Sequence, residues 1–350
     1  MVRILIADDS RVIRTRVASW IAAEDDLELV GQAEDGLQAL ELFGRLHPDV
    51  VVLDIEMPRL DGVATLGQIR ATDPHVPIIM FSALTDSGSR MTVASMLAGA
   101  SDYVPKPLSF QFEDEVRQTL LARIRALARP SLAGAERAPR VTVTPSPQRP
   151  GSPSPELIVV AASTGGPAAL GTFLAALGRV DLPIVVVQHI APHFLRLLVD
   201  QLGELLGTDV AIANDGEILR AGTIRFAPSR VHLELQQWDG RLVLTYSDAA
   251  PVNSCKPSAD VLFGSAAVLG HRTVGVVLSG MGTDGATGAS VIVAHGGLVF
   301  AQDQASSAVW GMPGAVVSQG LVRAVGSPSD IGARVRSLVT TGRPTRVEVT

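Results

Sequence analysis

Leu157-Ile158-Val159-Val160-Ala161-Ala162-Ser163-Thr164-Gly165-Gly166-Pro167 reads as a strand, a turn and the start of a helix. Six apolar residues without alternation suit a strand buried on both faces, the environment of a parallel sheet. Serine, threonine and paired glycines end the run, and Pro167 suits the first turn of the helix expected over Ala168 to Leu177. Outward from this stretch the unit recurs. Leu182 to Val187 is a second such run, with Gln188 and His189 at its carboxyl end. Thr273 to Leu278 is a third, running into Ser279-Gly280-Met281-Gly282-Thr283-Asp284-Gly285. Buried runs alternating with helical patterns predict an α/β domain with a mostly parallel sheet.

In such sheets the carboxyl ends of the strands form the ligand-binding edge. Ser163, His189 and Asp284 each end a different strand, so one edge collects a hydroxyl, a general base and a carboxylate able to orient that base. Each residue alone has a plainer reading: the glycine turn closes a loop or binds phosphate, and Asp284 forms a turn. The chain order is Ser, His, Asp, and no Gly-x-Ser-x-Gly elbow is present, which points to a hydrolase design separate from the α/β-hydrolases. The helix N-terminus after Ser163, beginning with the Thr164 N–H, and the Met281 N–H are the candidates for holding an oxyanion. His189 and His193 are spaced like a metal pair on a helix, but Pro192 starts a helix after His189 and leaves that ring in the loop.

The N-terminal part repeats the alternation with runs at 3–7, 50–53 and 76–80. Beyond their carboxyl ends fall Asp8, Asp9, Asp54 and Ser82, with Lys106 after the later run Asp102-Tyr103-Val104-Pro105. Carboxylates converging on one lysine repel unless a hard cation neutralises them, which implies a Mg²⁺ site. The competing reading has Asp9 and Ser10 capping the helix that begins at Arg11.

Between these parts the chain changes character. Residues 129–155 are expected to be a linker, because seven of the chain's 22 prolines fall in Arg129 to Glu156, where no apolar periodicity is sustained. The 350 residues therefore divide into a domain at 1–128, the linker, and a domain at 156–350. Residues 1–128 carry 12 basic and 19 acidic side chains, net −7, against 13 and 14, net −1, over 157–350. Neither part has the dense basic face of a nucleic-acid binder. One cysteine, Cys255, excludes an internal disulfide framework. Residues 157 to 178 are uncharged and long enough to span a bilayer, but the Ser163 to Pro167 cluster divides them into strand and helix. With no signal-peptide pattern at the N-terminus, a soluble cytoplasmic protein without membrane insertion is expected.

Two resemblances extend this reading. Ile6-Ala7-Asp8-Asp9-Ser10, Val51 to Pro58 with Asp61-Gly62, Ser82-Ala83 and Pro105-Lys106-Pro107 resemble the receiver domain of two-component response regulators, over about residues 1 to 125. That resemblance implies a doubly wound, flavodoxin-like domain in which Asp54 accepts a phosphoryl group from a histidine kinase. It further implies that Asp8, Asp9 and Asp54 hold Mg²⁺, that Lys106 meets the phosphoryl oxygens, and that Ser82 and Tyr103 report the change.

Ala162 to Pro167, Val187-Gln188-His189, Phe226-Ala227-Pro228 with His232, Lys256 to Phe263, Leu278 to Ala286, and Gln302-Asp303 with Gly311-Met312-Pro313 are similar to the catalytic domain of chemotaxis protein-glutamate methylesterases. By that similarity Ser163 is the nucleophile, His189 the general base and Asp284 its orienting acid. The substrates implied are glutamate 5-O-methyl esters on chemoreceptors, with methanol released, and the same site is expected to deamidate receptor glutamines. The implied phosphodonor is the chemotaxis histidine kinase CheA, and the esterase needs no cofactor. One departure stands out: Cys255 occupies a position where the family often has histidine. The rival readings are a Cys255 nucleophile, a DNA-binding output module and a catalytically idle interaction domain.

Overall fold

A computed structural model describes residues 1–83, 85–107, 112–128 and 154–341. The chain divides into two units, Met1–Ala133 and Gly134–Thr350. The expected proline-rich linker lies almost wholly outside the described residues.

The first unit alternates strand and helix: β1 (Val2–Ala7), α1 (Arg11–Ala22), β2 (Leu27–Ala33), α2 (Gly36–Leu46), β3 (Val50–Leu53), α3 (Gly62–Thr72), β4 (Ile78–Ser82), α4 (Asp86–Leu97), β5 (Asp102–Pro105) and α5 (Glu113–Ala128). All pairings are parallel and the order is β2-β1-β3-β4-β5, the doubly wound, flavodoxin-like arrangement. Strand β4 begins and ends two residues later than expected. Pro77 has no N–H to donate and contributes only its carbonyl, to Val51 N at 2.9 Å. Ser82 is consequently the last residue of the strand. The edge strand β2, half exposed and mixed in polarity, lacks the apolar run by which the others are recognised. Capping of α1 falls to Ser10, whose side chain accepts from Ile13 N at 3.4 Å, and not to Asp9.

The second unit runs β6 (Leu157–Ala162), α6 (Gly166–Leu177), β7 (Ile184–Gln188), α7 (Pro192–Leu206), β8 (Asp209–Ile212), β9 (Glu217–Ile218), β10 (Thr223–Phe226), β11 (His232–Trp238), β12 (Arg241–Ser247), α8 (Ala259–Ala266), β13 (Thr273–Val277), α9 (Ala286–Ala294), β14 (Leu298–Gln302), α10 (Gly311–Ser318), β15 (Ala324–Gly326) and α11 (Pro328–Thr341). Seven strands form a parallel sheet in the order β15-β14-β13-β6-β7-β10-β8. From β6 the chain winds outward through β7, then returns to lay β13 on the other side of β6. In sheets of this kind ligands bind beyond the strand ends at the point where the winding reverses, here between β6 and its two neighbours.

A separate antiparallel sheet, β11-β12-β9, has no counterpart in the expected architecture. Its signal was present in the chain. Alternating apolar residues flank Asp239-Gly240, both at positive φ (48° and 71°), which is the turn chemistry of a two-residue hairpin. No helix among the described residues is long and apolar enough to cross a membrane.

Candidate active site

Strand pairing sets the two central residues side by side. Ala162 is in register with Gln188 on neighbouring parallel strands, so Ser163 and His189 are the next residues out on each. His189 N donates to Ala162 O at 2.9 Å, and on the other flank Ser163 N donates to Ser279 O at 3.0 Å. Ser163 O accepts from Gly166 N at 2.8 Å and from Gln188 Nε2 at 2.9 Å. The serine backbone is thus held from three sides without use of its hydroxyl. Helix α6 starts at Gly166, two residues earlier than expected, because Gly165 adopts a left-handed φ of 73° that closes the turn.

Glycines are needed here for close approach. A Cβ on Gly280 would lie 2.2 Å from Met312 Sδ and 2.9 Å from Ser163 Cβ. The loop after β13 is braced by the residues of the later motifs: Gln302 Oε1 accepts from Ser279 N at 2.7 Å, and Met312 N donates to Gly280 O at 2.9 Å. Among the described residues, Met281 N–H makes no hydrogen bond and its side chain is exposed.

That loop delivers Asp284, which is buried. Its Oδ1 accepts from Ser258 Oγ at 2.6 Å and Asp260 N at 3.1 Å, and its Oδ2 from Ala259 N at 2.7 Å. These donors form the N-terminus of α8, where the helix dipole favours an anion. Burial pushes the Asp284 carboxyl up, but His189, Ser258 and the two backbone N–H groups outweigh it and hold the group below its ordinary value. Ser258 is held in turn by His232, fully buried, whose Nδ1 accepts from Ser258 N at 3.1 Å while Nε2 faces Ala250 O at 3.0 Å. The ring is therefore neutral, with its proton on Nε2. Asp260 ties this helix to the next by accepting from Gly288 N at 2.8 Å. In the sequence Ser258 and His232 stand only as members of the matched motifs, although a serine followed by an acidic residue ahead of an apolar run is a legible helix start.

His189 Nε2 lies 2.9 Å from Asp284 Oδ2, an ion-pair distance, but off the direction a hydrogen bond requires, so this buried nitrogen has no hydrogen-bond partner. Burial favours the neutral ring. The nearby Asp284 and Cys255 outweigh that and raise His189 to about 9. Among the described residues no hydrogen bond joins Ser163 Oγ to His189. As expected from Pro192, α7 begins there and His189 stays in the preceding loop, away from His193.

The first unit gathers a second cluster at its strand ends. Lys106 Nζ lies 2.8 Å from Asp8 Oδ2 and 2.7 Å from Asp54 Oδ2. Asp54 Oδ1 accepts from Ile55 N at 2.8 Å and Asp8 Oδ1 from Ser10 N at 2.9 Å. Burial raises Asp54 to about 6; Lys106 opposes the rise and Asp8 adds to it. Asp8, Asp9 and Asp54 offer oxygens within 4.8 Å of one another, and Asp8 Oδ2 is buried with no hydrogen bond beyond its ion pair with Lys106. That oxygen set fits a hard divalent cation. Ser82 Oγ pairs with Thr92 Oγ1 at 2.9 Å, and Tyr103 packs on the core of this unit. Arg14, which sequence reasoning passed over, clamps the acidic loop by donating to Asp8 O at 2.6 Å and Asp9 O at 3.0 Å.

Comparison with known proteins agrees with both units. Residues 158–335 match the family described as CheB methylesterase, and residues 4–116 match the response regulator receiver domain. The chain is 42% identical to a protein-glutamate methylesterase/protein-glutamine glutaminase of Nocardioides sp., covering 99% of this chain and 98% of that protein. A protein of the same description from Caulobacter vibrioides is 40% identical, covering 96% and 98%. Among solved structures, the CheB methylesterase catalytic domain of Thermotoga maritima superposes with a TM-score of 0.51 at 32% identity, over 53% of this chain and 100% of that one.

Proposed function

The chain belongs to the CheB methylesterase family of hydrolases and carries a response regulator receiver domain, and from that premise we propose that it hydrolyses glutamate 5-O-methyl esters on chemoreceptors, and deamidates their glutamines, through Ser163, His189 and Asp284. The observation that carries this reading is the meeting of three strand ends: Ser163 beside His189 across β6 and β7, and Asp284 2.9 Å from His189 Nε2.

Ser163 Oγ attacks the ester carbonyl while His189 takes its proton. The N–H groups of Thr164 and Met281 receive the developing oxyanion. As the tetrahedral species collapses, the proton passes from His189 to the leaving methoxide and methanol departs. Water, deprotonated by the same ring, then attacks the acyl-enzyme to give glutamate and restore Ser163. With a glutamine the leaving group is ammonia. Asp284 orients the ring and stabilises its cationic form, and the N-terminus of α8 keeps that carboxylate ionised. Methanol release from methyl-labelled receptor membranes tests the activity; a chain that releases none is an interaction domain.

Only the neutral imidazole can accept the serine proton, and His189 sits at about 9. The value of kcat/KM is therefore expected to rise with pH from 7 toward 9 and level off above it. A flat profile across that range contradicts His189 as the base.

In the receiver unit Asp54 is the phosphoacceptor from a histidine kinase, CheA in a chemotaxis system. Asp8, Asp9 and Asp54 would hold Mg²⁺, which supplies the positive charge that phosphoryl transfer to a carboxylate requires. Lys106, already 2.7 Å from Asp54 Oδ2, is placed to meet the phosphoryl oxygens. Ser82 would exchange Thr92 for a phosphoryl oxygen, and Tyr103 would respond to that move. A phosphoryl group adds more than one unit of negative charge, and a tenfold shift between inactive and active populations needs about 1.4 kcal/mol. A phosphodonor with Mg²⁺ should raise the esterase rate of the full chain about tenfold or more, and Asp54→Ala should remove that gain while keeping the basal rate. An unchanged rate with Asp54 demonstrably phosphorylated refutes the regulation.

A further inference from the structure

Cys255 stands in a pinned turn beside the His189 and Asp284 pair. Its N–H donates to Val252 O at 2.8 Å and its carbonyl accepts from Val252 N at 3.1 Å. Asn253 Nδ2 reaches Asp260 Oδ2 at 2.9 Å, fastening the turn to α8, the helix whose N-terminus holds Asp284. Among the described residues the thiol donates one weak hydrogen bond, to Asn253 O at 3.5 Å, and it faces the His189 ring. One ring nitrogen of His189, Cys255 Sγ and a carboxylate oxygen of Asp284 all lie within 4.8 Å of one another.

We propose that His189, Cys255 and Asp284 form a binding site for a zinc ion, three protein ligands with the fourth position open, and that its occupation blocks the esterase. A thiolate, an imidazole and a carboxylate are the donors that Zn²⁺ takes in tetrahedral sites, whereas Mg²⁺ takes oxygen. Around such an ion the donors stand roughly 3.5 Å apart. His189 Nε2 and Asp284 Oδ2, 2.9 Å apart, part by roughly half an ångström, and the thiol closes by roughly an ångström, which its partial exposure lets it do by rotating. His189 Nε2 is buried with no hydrogen bond to give up, and the turn carrying Cys255 is already ordered. On binding, the thiol loses its proton to solvent, as does the His189 ring wherever it is still protonated, and each of the three ligands donates an electron pair to the metal; nothing is oxidised or reduced. A ring whose lone pair is committed to a metal cannot take the Ser163 proton. Inhibition thus rests on His189 being the general base, whereas binding does not. The acidic cluster of the receiver unit offers oxygens alone and gives no thiolate signal.

The test uses the full chain in excess Mg²⁺, with Co²⁺ as the spectroscopic probe and buffered Zn²⁺ in the esterase assay. One Co²⁺ per chain should bind with a thiolate-to-cobalt charge-transfer band that Zn²⁺ displaces. Cys255→Ser should lose the band, and its half-inhibiting Zn²⁺ concentration, relative to its own metal-free rate, should rise about tenfold or more. Because Cys255 is the chain's single cysteine, its reaction with a thiol reagent in the unaltered protein gives a reading independent of any variant, and Zn²⁺ should slow it. No band together with no protection of the thiol overturns the site, as does equal zinc sensitivity in a folded Cys255→Ser protein. A band and a protected thiol in a zinc-loaded chain that still hydrolyses ester leave the metal site standing and overturn His189 as the base.

Discussion

Ser163→Ala is expected to lose nearly all methanol release, on the order of a millionfold in turnover if the hydroxyl is the nucleophile, as in another triad enzyme. The fold should survive, because the bonds that hold residue 163 come from its backbone: N to Ser279 O, and O from Gly166 N and Gln188 Nε2. Losing one oxygen atom at the strand end opens little volume. Methanol release within tenfold of the unaltered protein, with an unchanged thermal unfolding curve, excludes Ser163 as nucleophile. The same assay on Cys255→Ser addresses the rival nucleophile, which requires an equal collapse there.

For Asp284→Asn the expected loss is about 10⁴ in turnover, the cost of favouring the wrong imidazole tautomer in a comparable triad. Here a second penalty joins it. Both carboxylate oxygens accept hydrogen bonds, from Ser258 Oγ and Asp260 N on one side and Ala259 N on the other. An amide has one accepting oxygen, so its NH₂ must face at least one N–H or O–H donor, and a buried donor left unpaired costs about 1–3 kcal/mol. Thermal unfolding should therefore fall along with the rate. Turnover reduced only twofold would make Asp284 a turn former with no part in the chemistry, whatever happens to stability.

Much of the site was legible because its parts are local. Unbroken apolar runs mark β6, β7 and β13, and the serine, histidine and glycine-rich loop lie at their punctuated ends. Pro192 separates His189 from the following helix by its own stereochemistry. The receiver carboxylates were legible in the same way, whereas β2 was not, since an edge strand of mixed polarity has no run to betray it. The β11 and β12 hairpin had a signal in Asp239-Gly240 that the dominant parallel pattern overshadowed.

Which residues lie at strand ends is written in the linear chain, and with it the α/β class and the candidates Ser163, His189, Asp284 and Asp54. Periodicity and turn chemistry act within a few residues, so they survive without the fold. Which ends adjoin is settled by packing in three dimensions. That β13 and β7 flank β6 depends on how the crossover helices pack, and no single strand's hydrophobicity encodes it. The same packing turns Ser258 from a motif letter into the donor that holds Asp284, and brings Cys255 to His189 and Asp284. These contacts join residues far apart in the chain, and their energy comes from burial and pairing that exist only once the sheet has closed around them.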